Sequence, residues 1–186
     1  IVNYLYQHNQ SPFDTNKSHL NSFYNACKYG NSVVFSQLMK ICFQNTQQLV
    51  NQDQIQTTLH SIIRGFKIVC VFVDDKQDSI QRIEHIMTQC EQHFKDTFPK
   101  IQVLLSIVIN AAKEVSNVIC LYFMDKMEQQ LQDSKDLHLK HLQKVVLSAG
   151  KSGNITIFNV IVHKYPLHKN KLQKKYLKGA FKNHVF

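Results

Sequence analysis

Apolar residues along this chain recur at spacings of three and four, in short stripes separated by polar breaks. That period puts them on one face of an α-helix. One pattern repeats: a small residue, a polar break, then an apolar run. Ala26-Cys27-Lys28-Tyr29-Gly30-Asn31 precedes Val33-Val34-Phe35 and Leu38-Met39. Ala112-Lys113-Glu114-Val115-Ser116-Asn117 precedes Ile119-Cys120-Leu121 and Phe123-Met124. Ala149-Gly150-Lys151-Ser152-Gly153-Asn154 precedes Ile157-Phe158 and Val160-Ile161. A weaker copy runs Ser61-Ile62-Ile63-Arg64-Gly65-Phe66, and a truncated one runs from Gly179 to His184.

A matching stripe precedes each copy. Eight residues before the Asn position stand Phe23, Thr58, Ile109, Val146 and Tyr176; five before it stand Ala26, Ser61, Ala112, Ala149 and Gly179. A small residue at a fixed point of each first helix is expected where two helices cross closely. The Gly-Asn step then ends that helix through a left-handed residue at its C-cap. The next apolar run forms the second helix of a pair. First helices are therefore predicted to end near Gly30, Gly65, Ser116, Gly153 and Asn183. The spacings from Gly30 to Gly65, Ser116 and Gly153 are 35, 51 and 37 residues. The long interval holds Ile80, Ile83, Met87, Cys90 and Phe94 on one face, which predicts an inserted helix near 78–98 or the remnant of another repeat. Two β-branched runs, Phe66–Val73 and Ile155–Val162, fit buried strands as well as helices on periodicity alone, so an α/β fold is the alternative. The repeat register favours helix for both.

At this point the pattern resembles the ankyrin repeat. Phe23, Ala26, Gly30, Asn31, Val34, Phe35, Leu38 and Met39 fall on the positions of that family's two helices, as do Val146, Ala149, Gly153, Asn154, Ile157, Phe158 and Ile161. The likeness runs from about Leu20 to the C-terminus. No copy opens with Thr-Pro-Leu-His, and none carries the Gly-Ala-Asp that starts the projecting hairpin. The resemblance implies an all-α, right-handed stack of antiparallel helix pairs over residues 1–186. It also implies a non-enzymatic scaffold that binds a protein partner. Tetratricopeptide or HEAT-type pairing is the other solenoid reading.

Composition agrees with helices: there are only 5 Gly and 3 Pro, too few for the many turns of an all-β fold. No apolar run approaches the ~18–20 residues of a membrane span. The chain opens at Ile1 inside a helical pattern, so it reads as part of a longer protein, and the lack of a visible signal peptide then says little; the expectation is a cytoplasmic monomer. The cysteines (Cys27, Cys42, Cys70, Cys90, Cys120) lack a CxxC spacing, and most sit in apolar runs, which suits small buried hydrophobes rather than zinc ligands.

Charge adds one further feature. Residues 137–186 hold ten lysines and no Asp or Glu, whereas the whole chain carries +9. Lys171, Lys174, Lys175, Lys178 and Lys182 have the spacing to share one face of a helix, with Tyr176 off that face and directed into the stack. They are the candidate polyanion-docking residues, and the alternative function is an accessory module on nucleic acid or anionic membrane. Arginine, the better reader of bases, occurs only at Arg64 and Arg82.

Other constellations are weaker. Ala149-Gly150-Lys151-Ser152 looks like the end of a phosphate-binding loop, but Val145 stands where the motif needs Gly. Asp74 and Asp75 follow an apolar run as metal-binding carboxylates do, yet with Asp78 they also suit a helix start. His138 and His141, with His163 and His168 farther on, are the best histidine cluster, without Cys or carboxylate at ligand spacing. The expectation is no catalytic residue, no metal, no cofactor and no small-molecule substrate.

Overall fold

A computed structural model describes residues 76–95, 98–131 and 135–183. The chain divides into two compact units, Ile1–Phe98 and Pro99–Phe186. The described residues are helical, with no strand among them. The predicted breaks near Gly30 and Gly65 and the run Phe66–Val73 lie outside the described residues, as do Asp74 and Asp75.

In the first unit, α1 spans Lys76–Phe94, the place of the expected inserted helix. Its apolar stripe is buried: Ile80, Ile83, Ile86, Met87 and Cys90. Asp78, in the first turn, accepts from Arg82 Nε at 2.8 Å. That carboxylate also sits where it complements the positive end of the helix dipole.

Among the described residues the second unit has five α-helices. They are α2 (Lys100–Lys113), α3 (Asn117–Gln130), α4 (Lys135–Ser152), α5 (Ile155–Lys164) and α6 (Lys169–Lys182), with a short 3-10 turn at Pro166–His168 before α6. The ambiguous run Ile155–Val162 is thus helix, not strand. Helix α2 packs on α3 and α4, α4 packs on α5 and α6, and α3 also meets α5. The core between them comprises Val103, Leu104, Ile107, Val108, Ala111 and Ala112 of α2, Ile119, Phe123, Met124 and Met127 of α3, and Val145, Val146, Ala149, Ile157 and Ile161 beyond. Each large side chain fully buried this way contributes roughly 1.5–3 kcal/mol.

Both described breaks between paired helices are the same motif. After α4, Gly153 takes φ 69°, its N–H bonds the carbonyl of Gly150, and Asn154 N–H bonds that of Ala149 at 2.8 Å. After α2, Val115 takes φ 58° and Ser116 N–H bonds the carbonyl of Ala111 at 2.9 Å. The left-handed residue with a six-to-one hydrogen bond is a Schellman cap. This corrects the expected register by one residue: Val115 matches Gly153, and Ser116, not Asn117, matches Asn154. It also corrects the part given to the asparagine. Asn154 stands past the left-handed residue, and its side chain caps α5 by accepting from Ile157 N–H at 3.2 Å.

The close crossing predicted from small residues lies chiefly between α4 and α6. A Cβ at Gly150 would collide with the carbonyl oxygen of Tyr176, and one at Gly179 with the carbonyl oxygen of Leu147. The two helices meet backbone to backbone there. Polar side chains bridge α4 and the start of α5 to their neighbours. Ser148 Oγ donates to Ile109 O at 3.1 Å. Ser152 Oγ lies 3.1 Å from Ala112 O. Asn154 Nδ2 reaches both Ala112 O (3.0 Å) and Asn117 Oδ1 (2.9 Å). Asn183 Nδ2 donates to Lys151 O at 2.8 Å. The bridges to Ala112 O and Lys151 O satisfy carbonyls that a helix end leaves without an internal partner, and Asn154–Asn117 couples two helix starts.

Candidate functional site

Helix α6 places the candidate lysines. Its buried positions are Leu172, Gly179 and Ala180, which dock it on α4. Lys171, Lys174, Lys178 and Lys182 are exposed, and Lys175 is half-buried at the edge of the docked face. Tyr176 is half-buried with its ring 4.5 Å from that of Phe158, and burial raises its phenol pKa. Lys164, close to the lysine-rich segment in sequence, is held elsewhere. Its ammonium bonds Glu128 Oε2 at 2.6 Å and Asp125 Oδ1 at 3.0 Å. Burial by itself would lower its pKa, but the two carboxylates outweigh it and the pKa is raised.

Around that ion pair lies a polar knot between α3, α4 and the end of α5. Tyr165 OH is 3.4 Å from His138 Nε2, and the two rings meet edge to face. Burial first, then the Glu128 carboxylate, pushes the Tyr165 phenol up. His138 Nε2 stands 3.7 Å from Glu128 Oε1, a buried oxygen without a hydrogen-bond partner in the protein. These groups tie three helices together. They hold one another, which is the arrangement of a structural clasp.

His141, three residues on from His138 on α4, lines the floor of a groove. It is buried, its Nδ1 has no hydrogen-bond partner in the protein, and burial, then Lys144 and His138, lower its pKa. The groove encloses about 290 Å³, lined among the described residues by Leu137, Lys140, His141, Gln143, Lys144 and Leu147 of α4 and by Lys175 of α6. It therefore joins one candidate lysine to two that the sequence pattern does not single out. The missing signal is tertiary: Lys140 and Lys144 are one turn apart on α4, and only its contact with α6 brings Lys175 beside them.

The remaining chemistry finds no support. Gly150, in the sequence that looks like a phosphate-binding loop, is pressed against the backbone of Tyr176, so no phosphate can approach it. No group of three His, Cys, Asp or Glu able to hold a metal occurs among the described residues. His163 is exposed and His168 half-buried. Cys90 and Cys120 are buried free thiols. Burial, then Glu91, pushes the Cys90 thiol up, which keeps it protonated and inert. No described helix is long and apolar enough to cross a membrane.

Comparison of the chain with models of known protein families, with curated proteins and with solved structures finds no match. The functional reading therefore rests on the geometry.

Proposed function

We propose that this chain is a non-enzymatic scaffold that binds a protein partner, built as a divergent ankyrin-like stack of antiparallel helix pairs. The observation that carries this reading is the order of helix contacts. First helices α2, α4 and α6 follow one another, second helices α3 and α5 follow one another, and α2–α3 and α4–α5 are the pairs. Such stacking of neighbours is how a solenoid buries the apolar face that one pair cannot bury alone. The described residues offer helix faces and a shallow groove, and no constellation of nucleophile, base and oxyanion donor.

The test starts from tagged chain as bait, with each recovered protein then purified and titrated against the 186-residue chain. The reading expects a stoichiometric complex and protection of a helix face from hydrogen exchange. Turnover of a small molecule by the purified chain would overturn it. A second reading, docking on nucleic acid or anionic membrane, is favoured by the exposure of Lys171, Lys174, Lys178 and Lys182 along one side of α6. It requires binding to duplex or single-stranded nucleic acid, or to anionic vesicles, at near-physiological salt. For nucleic acid, the logarithmic salt slope should fall by roughly 0.7–0.9 for each lysine–phosphate pairing that a Lys-to-Gln substitution removes. The scaffold reading expects no detectable binding in that titration, because arginine is almost missing and the rest of the chain is near neutral.

A further inference from the structure

We propose that the groove between α4 and α6 docks an acidic, amphipathic helical segment of a protein partner. The inference rests on the scaffold reading and names where and what it binds. Lys140 and Lys144 lie four residues apart on α4, and Lys175 closes the groove from α6. No Asp or Glu is among the described lining residues, and none occurs anywhere in residues 137–186. Among the described lining residues the three ammonium groups meet no acid, although Asp136 stands one turn before Lys140 in the sequence of α4, whereas Lys164 is already neutralised by Asp125 and Glu128.

The apolar residues set the kind of occupant. Leu137 and Leu147 stand at the two ends of the α4 part of the groove, ten residues or about 15 Å apart along a helix. Leu137 is 42 % exposed, an apolar anchor open to solvent. A segment of about three turns, with carboxylates one turn apart between two apolar side chains, matches both the charge and the apolar ends. Nucleic acid matches less well. The described lining has no Phe, Tyr or Trp ring on which a base could stack and no Arg fork for a base edge, and its one imidazole, His141, is 7 % exposed. His141 on the floor adds no charge, since burial and Lys144 hold it toward the neutral form.

The probe is a fluorescein-labelled helical peptide of about four turns with Glu pairs at four-residue spacing between two leucines. Its partners in the experiment are a Gln-for-Glu version, a single-stranded RNA of equal charge and vesicles containing phosphatidylserine. Each is titrated against the full chain near physiological salt. Two triple variants carry the same charge change: Lys140→Gln/Lys144→Gln/Lys175→Gln in the groove, and Lys171→Gln/Lys178→Gln/Lys182→Gln outside it. Thermal melts check that both remain folded, and if the groove triple is unfolded, the single Lys140→Gln variant on an exposed position takes its place. The proposal expects the acidic peptide to bind, the Gln peptide to bind weakly, and the groove triple to lose about tenfold in affinity while the outer triple stays within about twofold. Equal loss in both triples would reduce the effect to general charge and overturn the groove. So would groove-dependent binding of RNA or vesicles without the peptide, or no peptide binding up to about 1 mM. A partner that binds the chain while ignoring the groove triple ends this proposal but leaves the scaffold reading standing.

Discussion

At the scale of single residues, the two informative positions carry a local cost. Val115 sits at φ 58°, where a β-branched side chain is strained. Val115→Gly is expected to stabilise the protein by about 1 kcal/mol, read as a higher urea midpoint, and an unchanged or lower midpoint would place the strain elsewhere. Nothing in the sequence marks Val115 as left-handed. The nearby Asn117 draws a repeat alignment one residue too far, and only the backbone angles put Val115 opposite Gly153. His141 gives the second residue-scale prediction. Its folded pKa lies below the ordinary 6.5, so the unfolded chain takes up the proton first as pH falls. Stability contributed by the neutral ring is therefore full above about 6.5 and declines below it, until the folded ring also titrates. His141→Leu removes both this loss and the unpartnered Nδ1. The gain in melting temperature over wild type should be larger at about pH 5.5 than at about pH 7.5. An equal gain at both pH values would contradict the assignment.

At the scale of elements, helix limits follow from what the sequence displays. The Gly153 break, the stripe of α1 and the end of α6 each coincide with a period or a breaker that a chain shows without its neighbours. The functions of the polar residues do not follow, because they depend on a second helix. Asn154 is the clearest case: it caps α5, reaches Ala112 O and meets Asn117 while 3 % exposed. Asn154→Ala should cost about 2–3 kcal/mol, one part for the cap and the rest for the buried bond to Ala112 O and the part-buried bond to Asn117 that it removes. Asn117→Ala removes one side-chain bond and should cost about 1 kcal/mol or less. Urea midpoints measure both. Equal costs would restore the sequence alignment, in which the two asparagines are equivalent.

At the scale of the molecule, the lysine-rich end reads differently once folded. The sequence pattern has one stripe on α6. The structure leaves four of its lysines exposed, takes Lys175 into a groove with α4, and gives Lys164 to an ion pair with α3. Charge density is legible from composition, but its division among surfaces is not, since it is set by which helices meet. The same packing motivates the central proposal, that the helices of residues 99–183 form a stack in which each pair is held chiefly by its neighbours. Native-state hydrogen exchange on Gly179→Ala tests it most directly. The added methyl gains helix propensity of about 1 kcal/mol, yet must push α6 off the Leu147 carbonyl, so the α4–α6 packing loosens. The account predicts faster exchange in α6 and the second half of α4, with α2 and α3 protected as in wild type. Exchange that quickens evenly across residues 99–183, or not at all, would contradict a stack and point to a single undivided core.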